Sequence, residues 1–379
     1  MTTIKKIVLI ILLIGFFIEL KAQKSTMFIN IDRTMMQIPD SSAFSTQSIA
    51  EYINSRFFTQ SEKARAVFIW VAENIYYDVD NMYSDTTLEI DEVLKTRKGV
   101  CSDFANLYSD IANKIGIKTY IITGYTRKNK RINYNPHAWC ASMIDSTWYL
   151  VDPTWGSGHI TDRRYIKEIN NDYFMIKPKR FIKTHIPFDP LWQFLNYPIT
   201  KREFLEGRIK PADEEFFFNF IDTIKIYDKR SEIEQLTNTY IRIKTNGVTS
   251  FLDQVTLYHL KLDFYQKRTE ELYNLAFKLY YDGMLLSNKY IAYKNNYYLP
   301  YKNDSSIKLM LNDIENIFNL SLSRLDEIKN SPSYLKIHIS NLYKFINREI
   351  ASLNEDKKKL EEYLKIAEKY RKSLSQDNE

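Results

Sequence analysis

The hydrophobic period of this 379-residue chain changes at Gly116, and that change constrains its fold more than any other feature. Upstream, apolar residues recur at helical spacing. Ala64, Val67, Phe68, Val71 and Ile75 follow a Thr59–Glu62 capping-box pattern, and Phe104, Leu107, Tyr108, Ile111 and Ile115 precede the terminating glycine. Between them, a short helical segment around Val93 and Leu94 runs up to Gly99. Downstream the pattern is extended, with strands expected over Thr119–Gly124, His137–Ile144 and Thr147–Asp152. The last two are joined by Asp145-Ser146, a two-residue hairpin signal. Helices followed by antiparallel strands predict an α+β domain, with helices packed on an antiparallel sheet. Asn171–Leu195, where aromatic and proline residues alternate with polar ones, reads as an irregular closing segment ending near Pro198.

Beyond Thr200 the apolar spacing is helical again, as in Leu272, Leu275, Ala276 and Leu279 and in Leu311, Ile314, Ile317 and Phe318. Breaks are expected near Asn246-Gly247, Asn295–Pro300 and Ser331-Pro332, and no fixed repeat period is found. At the other end, Lys5 and Lys6 precede an apolar run of 12 residues, Ile7–Ile18, and Leu20-Lys21-Ala22 offers a processing site. The run is shorter than the ~20 residues a membrane span needs, so it reads as a signal peptide. The protein is therefore expected to be exported, periplasmic or extracellular, and membrane-anchored only if the signal is retained. The chain thus divides into a signal peptide (1–22), an amino-terminal segment (23–59), an α+β domain (60–198) and an all-helical domain (199–379).

A net charge of +6, with basic residues scattered rather than gathered among aromatics, argues against a nucleic-acid partner. The only cysteines are Cys101 and Cys140. A disulfide framework is excluded and the fold must rest on its core. Neither cysteine has a neighbour at zinc-ligand spacing, so no metal or other cofactor is expected.

Three segments carry the chemistry. Gly99-Val100-Cys101 opens a helix, where unpaired amides and the positive end of the dipole favour a thiolate. Asn135-Pro136-His137 opens a strand, and Asp152 ends the next. With Asp145-Ser146 as the turn, Ile144 faces Thr147 and Trp139 faces Asp152, which leaves His137 diagonal to Asp152 on the same sheet face. A thiol, an imidazole and a carboxylate so disposed form a nucleophile, its base and the group that orients the base: Cys101, His137 and Asp152. Cys140, three residues from His137, points to the opposite face and reads as a buried, inert thiol. His159 is expected in a solvated loop at the strand end, with the wall of a substrate cleft as the alternative, His185 packed within the closing segment, and His259 and His338 as ordinary helix residues.

Glu62-Lys63-Ala64-Arg65-Ala66 with Trp70, then Lys98-Gly99-Val100-Cys101, His137-Ala138-Trp139 and Tyr149-Leu150-Val151-Asp152-Pro153-Thr154-Trp155-Gly156 resemble the transglutaminase-like superfamily. With Asn171-Asp172-Tyr173-Phe174 and His185-Ile186-Pro187, the spacing is similar to the kyphoscoliosis-peptidase branch. The resemblance spans roughly Gln60–Leu195. It implies a papain/transglutaminase-like core, with Cys101 as nucleophile, His137 as base and Asp152 as orienting acid. No residue matches a side-chain oxyanion donor. The function it implies is cysteine-dependent acyl transfer on a protein or peptide substrate, with hydrolysis favoured over cross-linking. The alternative is a catalytically silent fold whose helical domain binds a protein or glycan.

Overall fold

A computed structural model describes residues 28–82, 87–128, 131–208, 217–366 and 370. The signal-peptide reading lies outside the described residues. The chain divides into two compact units. One comprises residues up to 229 together with 239–257, and the other comprises 230–238 with 258 onward.

In the first unit, helix α1 (28–36) is followed by α2 (Thr46–Arg56) and α3 (Gln60–Asn74). Helix α3 starts as its sequence dictates: the Thr59 hydroxyl accepts from the Glu62 amide at 3.2 Å while Glu62 accepts from the Thr59 amide at 2.9 Å. A two-residue strand, β1 (Tyr76–Tyr77), pairs in parallel with β2 (Lys98–Gly99), and α4 (Ile90–Thr96) lies between them in sequence. Helix α5 (Cys101–Lys114) follows and ends at Gly116, whose φ of +83° is the left-handed geometry that favours glycine.

Strands β3 (Thr119–Lys128), β4 (Arg131–Ile144) and β5 (Thr147–Val151) form the antiparallel sheet, with Ile144 opposite Thr147 and Cys140 opposite Val151. The turn between β4 and β5 sets Asp145 and Ser146 at φ of +48° and +61°, the geometry that matches the twist of a tight hairpin. Ala138, Cys140, Ile144 and Val151 pack with α2, α3 and α5 in one core, while Trp139, Ala141, Trp148 and Leu150 pack in a second on the other sheet face. The α+β expectation holds, as helices on an antiparallel sheet followed by a helical carboxy-terminal region.

Four features differ from the sequence reading. First, residues 23–59 are no separate segment where they are described. Ile31, Met35, Ile49 and Ile53 sit in the main core, and buried Arg65 donates to both oxygens of Asp32 at 2.7 and 2.6 Å and to Asn171 at 2.6 Å. Second, the chain after Asp152 is ordered into α6 (Pro153–Ser157) and a hairpin of β6 (Gly158–Thr161) and β7 (Arg164–Lys167), turned by Asp162 and Arg163 at positive φ. Third, the closing segment holds α7 (Pro178–Phe181) and a strand, β8 (His185–Pro187), that completes the sheet in the order β5-β4-β3-β8. It approaches β3 at Gly124, where a Cβ would lie 2.1 Å from the Ile186 carbonyl oxygen. A three-residue strand carrying a proline has too little pattern to be read in advance.

Fourth, the boundary expected at 198/199 falls later. Helices α8 (Lys201–Glu206) and α9 (Phe220–Tyr227) stay with the first unit, and Ile224 is buried with Leu191 and Phe194. Helices α10 (Glu232–Asn246) and α11 (Phe251–Asn295) each contribute residues to both units. Within the first unit, buried Lys201 donates to Asp253 at 2.6 Å. Asp253 also accepts from the Tyr125 hydroxyl at 3.0 Å and from the Thr249 and Ser250 amides at 2.8 and 3.1 Å. The second unit packs the rest of α11 with α12 (Asp304–Asp326) and α13 (Ser333–Leu364) around Ile307, Leu311, Phe318, Leu342 and Ile346. No helix among the described residues is long and apolar enough to cross a membrane.

Two substitutions test these constraints by denaturant unfolding. Lys201→Ala leaves Asp253 buried without its cation and is expected to cost about 3–5 kcal/mol. Gly124→Ala forces β8 away from β3 and is expected to cost about 1–3 kcal/mol.

Candidate active site

Cys101 is the first residue of α5, preceded by Val100 in an extended conformation. Asp103 fixes this turn from beneath, accepting from the Val100 amide at 2.7 Å and the Leu88 amide at 2.8 Å. The amides of Cys101 and Ser102 belong to the first turn, which no helical partner satisfies, so they point positive charge at the sulfur.

His137 is aimed by an irregularity in β4. Gly124 pairs with His137 and Thr126 with Asn133, so Tyr134, Asn135 and Pro136 stand opposite the single residue Tyr125. Pro136 has no amide hydrogen to offer the ladder, and such bulges redirect the side chain that follows. The Nε2 of His137 lies 2.7 Å from Oδ2 of Asp152, and the ring lines the same cleft as the Cys101 thiol, with which it interacts electrostatically. Asp152 is the N-cap of α6, and its Oδ1 accepts from the Thr154 and Trp155 amides at 3.0 and 2.9 Å. Its carboxylate is fully buried.

The electrostatics follow from these partners. Burial pushes the Cys101 thiol up, but its hydrogen bond and charge interaction with His137, with the Ala138 amide, outweigh burial and bring it below the ordinary thiol value. Burial alone lowers His137. The charge and hydrogen bond of Asp152, then Cys101, reverse that and carry the imidazole up to about 10. Burial raises Asp152, yet His137 and His185 hold its carboxyl well below the usual carboxylate range. The three groups together shift the balance toward a thiolate beside an imidazolium.

Cys101 and His137 open onto a cleft of about 680 Å³ walled by Tyr77, Trp155, Tyr165 and Tyr173. His159, read as a solvated loop residue, stands on β6 in the wall of this cleft, its Nδ1 3.5 Å from Glu168. Cys140 is buried on the far face of β4 and donates its S–H to the Ala105 carbonyl at 3.3 Å, and burial pushes its thiol well up. His259 and His338 are exposed on α11 and α13.

The residue that sequence reasoning missed is His185. It is fully buried on β8, with Nε2 3.2 Å from Asp152 Oδ2. Only the pairing of β8 with β3, at Thr126–His185, brings it there. Among the described residues, His137, Asp152 and His185 are the group whose donor atoms, all within 4.8 Å of one another, could hold a metal ion. Hydrogen bonding already accounts for those distances, since both Nε2 atoms point at one carboxylate oxygen that only accepts.

Residues 47–153 match the family described as the transglutaminase-like superfamily, a stretch that contains Cys101, His137 and Asp152 and stops short of β8. This is a transglutaminase-like domain. The chain is similar to kyphoscoliosis peptidase of Mus musculus, 31% identical over 156 residues, covering 38% of this chain and 23% of that protein. It is also similar to cytokinesis protein 3 of Saccharomyces cerevisiae, 25% identical over 202 residues with 48% and 23% covered, and to Hillarin of Drosophila melanogaster, 23% identical over 202 residues with 47% and 24% covered. The chain thus spans about a quarter of the length of these relatives. The stretch matched by the family lies within the first unit.

The site sets the pH dependence of stability. Burial first of all lowers His185, to about 4, against an ordinary 6.5. The unfolded chain therefore takes up this proton first, so the stabilisation is complete above about pH 6.5 and is lost as pH falls toward 4. His137 slopes the other way, its contribution intact below about pH 6.5 and lost as pH rises through about 10. Unfolding free energies measured across this range should peak near neutrality, with His185→Gln flattening the acid side and His137→Gln the alkaline side.

Proposed function

We propose that the transglutaminase-like domain is a cysteine-dependent acyl-transfer enzyme acting on amide or peptide bonds. The observation that carries this reading is His137, held by Asp152 at 2.7 Å and opening with Cys101 onto one cleft, where its charge favours the thiolate. The Cys101 thiolate attacks the amide carbonyl, and the negative charge that develops on oxygen is met by the first-turn amides of α5. His137 then gives its proton to the leaving amine as the C–N bond breaks, which leaves an acyl thioester on Cys101. An incoming water or amine, deprotonated by His137, releases the acyl group. Asp152 keeps the imidazole in one tautomer and stabilises its charged form.

Hydrolysis is favoured over cross-linking, supported by the likeness to a protein named as a peptidase. The aromatic walls of the cleft suit a peptide substrate. Export belongs to the same reading and rests on the pattern of Lys5, Lys6 and the apolar run after them. A mature amino terminus near residue 23 in protein recovered from its natural source checks it.

Iodoacetamide labelling of the full chain at neutral pH tests the nucleophile. Cys101 is expected to be alkylated far faster than free cysteine and Cys140 to stay unlabelled. In His137→Ala the Cys101 rate should fall about 100-fold or more, the range associated with loss of a positioned base. Equal, slow labelling in both proteins would favour a silent fold that serves as a binding scaffold. Comparison of peptide termini and isopeptide bonds with and without Cys101→Ser separates hydrolysis from cross-linking.

A further inference from the structure

Oδ2 of Asp152 faces two imidazoles, and the acyl-transfer reading uses only one. The second, His185, lies stacked on Phe181 at a centroid distance of 4.0 Å, with Trp155 and Trp139 at 4.7 and 5.1 Å. Its tautomer follows from its partners. Asp152 can only accept, so the His185 Nε2 at 3.2 Å must carry the hydrogen. Nδ1 is then a lone pair, matched by the Thr184 hydroxyl at 2.8 Å. The ring is a neutral donor, in keeping with the low value to which its burial drives it.

Resting on the triad reading above, we propose that His185 is a positioning residue for that reaction: its Nε2–H holds Asp152 ionised and in place once His137 has passed its proton to the leaving amine. At that moment the buried carboxylate loses its cationic neighbour. Its remaining answers are the Thr154 and Trp155 amides, the neutral His137 Nε2–H and His185. Two donors on one oxygen weaken each other, so the His185 bond is worth more when His137 is neutral than when it is charged. Removing it makes His137 cling to its proton. The other titratable groups facing the cluster are Cys101 on α5, Cys140 on β4 and Tyr173.

Titration of the histidine Cε1 resonances by NMR in the full chain, assigned with single histidine variants, tests the proposal. In His185→Leu the His137 midpoint should move upward by about one unit from about 10, and in His185→Gln, which keeps an N–H donor, it should return close to the wild-type position. An unmoved or lowered midpoint in a folded His185→Leu overturns the role of His185 and leaves the triad standing. A wild-type His137 midpoint near the ordinary 6.5 overturns the triad reading and this proposal together. Should the leucine variant fail to fold, the wild type still decides. His185 must then stay neutral down to about pH 4 with its hydrogen on Nε2, and titration near 6.5 or an Nδ1–H tautomer overturns the proposal.

Discussion

A carboxylate sealed from water is tolerable only where its lone pairs are met by donors, and Asp152 meets that condition with four: two backbone amides and two imidazoles. Those donors come from three places in the chain, the start of α6, strand β4 and strand β8. The constraint therefore ties together the β4–β5 hairpin, the turn after it and the closing strand. It also sets the electrostatics outward, from Asp152 to His137 and from His137 to the thiol of Cys101. Removing a donor leaves that buried charge less fully compensated, so local chemistry and global stability are coupled here.

Helices α3, α4 and α5 and the pairing of β4 with β5 were legible because they rest on local rules. A capping box, a helix-ending glycine and a two-residue turn each declare themselves within a few residues. The Ile144–Thr147 register then fixed which residues share a face, and with it the approach of His137 to Asp152. What stayed hidden depends on contacts distant in sequence. Strand β8 is three residues long and is recruited by a glycine about sixty positions upstream, at 124. The irregularity before His137 is signalled only by Pro136, and the β6–β7 hairpin turns at Asp162-Arg163 without a glycine.

The domain boundary was misplaced for a similar reason. Helical spacing begins soon after residue 200, and a change in periodicity invites a division there. Yet Lys201 and Asp253 form a buried ion pair within the first unit, joined by Tyr125 from β3, and Arg242 reaches Asp189 at 2.6 Å. Periodicity describes one element at a time, whereas compact units are set by which charges and apolar faces need each other. The second unit, by contrast, is held by an apolar interior along α11, α12 and α13.

The placement of the second thiol carries a consequence for the redox life of the protein. Cys140 is locked in the core with its hydrogen on the Ala105 carbonyl, and the sequence contains no third cysteine. A sulfenic acid formed on Cys101 would have no internal thiol to condense with, and so no route to a protective disulfide within its own fold. Its rescue would fall to small thiols small enough to enter the cleft, failing which the sulfur would climb to irreversibly oxidised acids.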